Sequence, residues 1–106
     1  MTKKENIAKA IGIFYDMKQK EVTKSPMGYI LNHGKEACLC GLYAIKTNPD
    51  LPSYEVNAWS QSQMDFGDRI HSRLIDIHNA YALGNIKFEE MRALAIDYLY
   101  DQVNKR

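Results

Sequence analysis

Cysteine, proline and glycine are all scarce in this chain: two, three and six among 106 residues, with a single tryptophan. Two cysteines cannot form the multi-bridge framework of a small secreted scaffold. At this length none is needed, because the chain is long enough to bury a core unaided. So few prolines and glycines imply neither a disordered tail nor a long linker, and a single domain over 1–106 is expected. Charge of one sign is also lacking. The net value is only +1, so no global basic character points to nucleic acid. Long hydrophobic runs are missing as well. The longest near-apolar stretch, Ala37 to Ile45, is nine residues, far below the ~20 that a membrane-spanning helix requires. The opening MTKKENIAKAIG carries lysines without an apolar run of signal-peptide length behind them. A soluble protein in the cytoplasm, with no membrane partner, is the expectation. There is no glycine-rich phosphate loop, no G-x-S-x-G, no H-E-x-x-H and no internal repeat.

What is present is helical periodicity. Over residues 5–20, Ile7, Ala10, Ile11, Phe14 and Met17 recur at helical spacing, with lysines and acids opposite, which predicts an amphipathic helix. Ser25-Pro26 reads as a helix start, yet Gly28-Tyr29-Ile30 fits an extended segment equally, so 25–34 is expected to be a short irregular arm or a single helical turn. Lys35 to Thr47 reads as a second helix. Its Ala37, Cys38, Gly41, Leu42, Ala44 and Ile45 predict burial on most sides, with close backbone approach at Gly41. Asn48-Pro49-Asp50-Leu51-Pro52-Ser53 is the clearest loop. Residues 54–64 suggest a loose helix. Asp65 to Ala82 suggests a firm one, with Phe66, Ile70, Leu74, Ile77 and Tyr81 in one stripe and Gly84 closing it. Phe88 to Val103 is the last, burying Phe88, Met91, Leu94, Ala95, Tyr98 and Leu99. The fold class is therefore all-α, a compact single domain of four to five helices.

Chemistry is sparse. Cys38 and Cys40 sit one residue apart, and on a helix they would point about 200° from each other, a poor disulfide geometry. A zinc site needs about four ligands, and only His33 lies near enough in sequence to join one cysteine. A redox pair wants C-x-x-C. A nucleophilic cysteine needs a base, for which His33, His71 or His78 are the candidates. Reduced core cysteine is the preferred reading. Asp68 and His71 share a helix face, as do His71 and His78. A metal site in a bundle wants two acid-x-x-His pairs and only one exists, so a local ion pair is preferred. Glu89-Glu90 and Asp97/Asp101 read as solvated faces. No catalytic residue, metal or cofactor is assigned.

Charge is unevenly spread. Residues 1–49 carry eight lysines against four acids, and 50–104 carry nine acids against four basic residues. Lys3, Lys4, Lys9, Lys18, Lys20 and Lys24 crowd the beginning, and Arg69 and Arg73 share a helix face. A nucleic-acid-binding regulator using Lys18, Lys20, Lys24, Arg69 and Arg73 is therefore an alternative. Aromatic residues make up 10%, seven of them tyrosine. Tyr15, Tyr29, Tyr54, Trp59 and Tyr100 do not all fit the core stripes. Tyrosine and tryptophan are enriched at protein interfaces, which makes Tyr54, Trp59, Tyr29 and Tyr15 the candidate partner-binding set, centred on 54–64.

An amphipathic opening helix, the stretch Cys38-Leu39-Cys40-Gly41-Leu42-Tyr43-Ala44, and a late helix introduced by Asn85-Ile86-Lys87-Phe88-Glu89-Glu90-Met91 form a recognisable order. In this the chain resembles a group of small, uncharacterised helical proteins of bacteriophages and mobile elements. The resemblance implies a phage setting and carries no catalytic residues across. In that setting a helical protein of this size is expected to be an interaction module that inhibits or redirects a host protein or protein complex. An anti-defence, anti-CRISPR-like factor in the bacterial host cytoplasm would be one form. Nucleic acid and a second copy of the chain stay open as partners, and a cysteine-dependent enzyme using Cys38 or Cys40 is the remaining alternative.

Overall fold

The computed structural model describes residues 2–24, 30–31, 36–48 and 55–104, with the backbone alone for 30–31 and 55–60. Helix α1 spans Lys3–Asp16. It starts where it does because Thr2 and Glu5 cap each other: the Glu5 amide donates to Thr2 Oγ1 at 3.2 Å and the Thr2 amide to Glu5 Oε1 at 3.1 Å. Ile7, Ala10 and Phe14 form its buried stripe. The helix ends four residues earlier than the periodicity suggests. Met17 turns extended, φ −66° and ψ 147°, which buries its side chain and turns its carbonyl to the Arg92 guanidinium. Gln19–Glu21 then forms one 3-10 turn.

The predicted helix over 35–47 is shortened at its start. Glu36–Ala37 is a two-residue strand, β2, paired antiparallel with β1 at Ile30–Leu31. Val22 bridges Ala37 from the other side, and the Thr23 amide donates to the Ala37 carbonyl at 3.0 Å. Backbone groups engaged across the ladder cannot also make helical bonds. Helix α2 is therefore Leu39–Thr47, with Cys38 in the extended N-cap position. This corrects the placement of both cysteines on one helix. All six residues from Leu39 to Ala44 are buried, as expected for a central helix.

Helix α3, Glu55–Phe66, and helix α4, Asp68–Ala82, replace the loose and firm helices read from 54–64 and 65–82. The break falls at Gly67, with φ 83°, a conformation that L side chains rarely adopt. Its amide closes α3 on the Gln63 carbonyl at 2.9 Å, and its carbonyl opens α4 by accepting from His71 at 3.0 Å. The apolar stripe survives the break, since Phe66, Ile70, Leu74, Ile77 and Tyr81 are all buried. Gly84, φ 82°, ends α4 with two bonds, Gly84 amide to Tyr81 carbonyl and Asn85 amide to Ala80 carbonyl, the pattern that satisfies the last helical carbonyls. Helix α5, Phe88–Asn104, buries Phe88, Met91, Ala95 and Leu99. Leu94, expected on that face, is 46% exposed.

Five helices among the described residues thus surround one contiguous core, an all-α architecture. The most extensive pairing is α1 with α5. The end of α1 meets the beginning of α5 through Met17 and Arg92, so the two run antiparallel. Helix α2 packs on α1, α3 and α4.

Candidate functional site

Three helices bring a polar cluster to the centre of the molecule. Cys40 comes from the first turn of α2, Ser62 from α3 and His71 from α4, and all three are buried. His71 Nδ1 lies 2.8 Å from Ser62 Oγ and 3.6 Å from Cys40 Sγ. Cys38 caps α2 instead, its sulfur accepting from the Gly41 amide at 3.3 Å. The buried His78 packs edge-on against Tyr81, with ring centroids 6.3 Å apart.

The electrostatics of this cluster favour neutral groups. Burial pushes the Cys40 thiol up, and the neighbouring Cys38 pushes it further, while Ser62 opposes both. Burial also raises Cys38, against hydrogen bonds from Gly41, Cys40 and its own backbone. Burial lowers His71, and the Asp68 charge acts the other way. A nucleophilic cysteine requires the opposite shift, toward thiolate. The gap enclosed by Cys38, Leu39, Cys40, Leu74, Ile75, His78 and Asn79 is too tight to hold a water molecule. Asp68, expected to pair with His71, accepts from Gln63 Nε2 at 2.9 Å. Among the described residues, no group of three or more His, Cys, Asp or Glu could hold a metal ion, and His33 lies outside them. Both thiols are expected to resist an aromatic disulfide reagent in the native protein and to release two equivalents in denaturant. Rapid native reaction of either would place it at the surface.

The surface offers two polar clefts. One, of about 390 Å³, is lined by Arg69, Ser72, Arg73 and Asp76 of α4 and by Tyr98 and Gln102 of α5. Arg69 Nη2 donates to Gln102 Oε1 at 3.4 Å, and the Arg73 guanidinium lies over the Tyr98 ring at 6.0 Å. The other, of about 300 Å³, gathers Asn6, Lys9, Tyr43, Thr47, Asn48, Gln61 and Asp65. There Tyr43 donates to Asp65 Oδ2 at 2.6 Å and Gln61 Nε2 to the same oxygen at 2.9 Å. Burial and the Asp65 carboxylate push the Tyr43 phenol up.

The basic residues separate into two groups. Arg69 and Arg73 do share a face, as the helical spacing predicts. Lys18 and Lys20 are exposed beyond α1, and Lys24 lies over the Tyr81 ring at 5.4 Å. Tyr81 is twelve residues along α4 from Arg69, about 18 Å of helix rise, so lysines and arginines do not form one patch. Of the aromatic set, Tyr15 is 71% exposed. Tyr29 and Tyr54 lie outside the described residues, and Trp59 falls in α3 with only its backbone described. The Cys40–Ser62–His71 cluster and the Tyr43–Asp65 bond were not visible in the sequence, because each joins residues from separate helices and neither has a local motif.

Compared with family models, with curated proteins and with solved structures, the chain has no match in any of the three. Among the described residues, no helix is long and apolar enough to cross a membrane.

Proposed function

We propose that this protein is a small non-enzymatic interaction module, phage-encoded and acting in the bacterial host cytoplasm. It binds a host protein complex and inhibits or redirects it, as an anti-defence or anti-CRISPR-like factor would. The observation that carries the reading is an inversion of what an enzyme surface presents. The cysteines and His71 are sealed in the core, where burial disfavours their charged forms, while Met64, at the end of the 54–64 segment, is 83% exposed and Tyr15 is 71% exposed. Large apolar side chains held in water are the raw material of interface anchors.

Affinity purification of the tagged protein from nuclease-treated bacterial lysate, with mass spectrometry, tests this. One stoichiometric host complex is expected, and it should be lost from the Tyr54→Ala/Trp59→Ala variant while far-UV circular dichroism is unchanged. Retention by that variant would remove 54–64 as the binding surface. The second reading, a nucleic-acid-binding regulator, is left with exposed Arg69 and Arg73 alone, because the lysines do not share their patch. It requires abundant nucleic acid on the column without nuclease, little protein with it, and retention that falls steeply with salt.

A further inference from the structure

We propose that the cleft between α4 and α5 is a receptor for an acidic protein segment, with two carboxylates held by Arg69 and Arg73. The proposal rests on the reading that the partner is a protein and names the chemistry of one of its contacts. The two arginines are four residues apart on one helix, so their side chains leave the backbone about 6 Å apart on the same face. Each is oriented from the opposite helix, Arg69 by Gln102 Oε1 and Arg73 by the Tyr98 ring. Both remain exposed, and together with Ser72 they line an open space of about 390 Å³. Neither Gln102 nor Tyr98 neutralises a guanidinium. Each arginine therefore keeps the planar fork that receives a carboxylate through two parallel hydrogen bonds. Alternate residues of an extended chain leave their backbone on one face about 6.6 Å apart, close to the spacing at which the two arginines leave α4.

Charge selects among anions. Asp76 lines the same cleft, and exposed Asp101 stands one turn from Tyr98 on α5. These carboxylates offset part of the arginines' charge and repel any anion, a strand that brings a charge with every nucleotide more than two discrete carboxylates, one on each arginine. Leu94, half-exposed and one turn before Tyr98, offers an apolar contact at the edge.

The test is a two-dimensional NMR titration of the full chain with the blocked peptide Ac-Ser-Glu-Thr-Glu-Ser-amide. Saturable shifts are expected, confined to the amides of 69–76 and 98–102, and absent with the glutamine version of the peptide. Arg73→Gln, a change at the surface, is expected to weaken binding about tenfold or more, and Arg73→Lys to restore only part, since an ammonium lacks the fork. Unchanged binding to Arg73→Gln, or no saturable shift, overturns the proposal. So does free glutarate binding as well as the peptide, which would mean a small-acid site. Tighter binding of a phosphoserine peptide or a short oligothymidine overturns it too. The result is independent of the lysate experiment. A captured host complex with an unresponsive cleft sinks this proposal alone. Peptide binding with no captured protein sinks the broader function and leaves the carboxylate site.

Discussion

Phe66→Ala is expected to destabilise the protein by about 3–5 kcal/mol. Phe66 is fully buried at the last position of α3, and its ring lies 4.5 Å from the Tyr43 ring, tilted by 49°. It is the joint between α3 and the α2 helix beneath. Truncation removes the contact with the Tyr43 ring and leaves a cavity between α3 and α2. Domains of this size are stable by only about 5–15 kcal/mol, so the loss is a large fraction of the total. A thermal melt followed by circular dichroism should show the midpoint lowered by roughly 12 °C or more. A midpoint within about 3 °C of the parent would mean that this ring is not part of the core.

The second large effect concerns pH. His71 meets Cys40 from α2 and Ser62 from α3, with Asp68 on its own helix. Burial holds its folded-state pKa below the ordinary value, against the pull of Asp68. In the unfolded chain histidine takes a proton near pH 6.5. Below that pH the unfolded state binds more protons than the folded one, so stability falls as pH falls, by up to about 1.4 kcal/mol per unit. The decline levels off once the folded-state pKa is passed. Carboxylates held low by a partner, such as Glu21 beside Lys46 at 2.9 Å, contribute with the same sign but at lower pH. Urea titrations at pH 7.5, 6.5 and 5.5 are expected to show the decline in the parent and a shallower slope in His71→Gln, whatever the variant's absolute stability. Parallel slopes would assign the proton uptake elsewhere.

How much of this was legible in the sequence depends on the range of the determining contacts. The stripe from Phe66 to Tyr81 was readable because helical burial is written every three or four residues along the chain. The ending of α4 at Gly84 was readable because a glycine is the local requirement there. The break at Gly67 was not, since the stripe runs through it without loss of phase and a glycine inside a helical pattern is tolerated. The start of α2 is not legible locally, because Glu36 and Ala37 fit a helical pattern alone and are extended only through pairing with Ile30, Leu31 and Val22. The spacing of Leu94 fits the core stripe, yet it is 46% exposed because α5 turns a narrower face to α1 and α4. The chemistry followed the same division. Arg69 and Arg73 were found together from their spacing alone, but Gln102 and Tyr98, which orient them, come from another helix. Ser62 lay unnoticed in a polar stretch because only its fold neighbours make it part of a histidine cluster.

The antiparallel pairing of α1 with α5 also sets an order of events during synthesis. Helix α1 leaves the ribosome well before its largest partner, α5. Until Phe88 onward has emerged, Ile7, Ala10, Phe14 and Met17 have no α5 to cover them, and the docking of these two helices must close a loop of some seventy residues. Helices α2 to α4 can collapse on one another before that, through contacts closer in sequence. The docking of α1 on α5 therefore cannot precede the synthesis of Phe88 onward. A ribosome stalled before α5 would display a nascent chain with an open apolar stripe, the form in which this protein is most exposed to chaperones, proteases and aggregation.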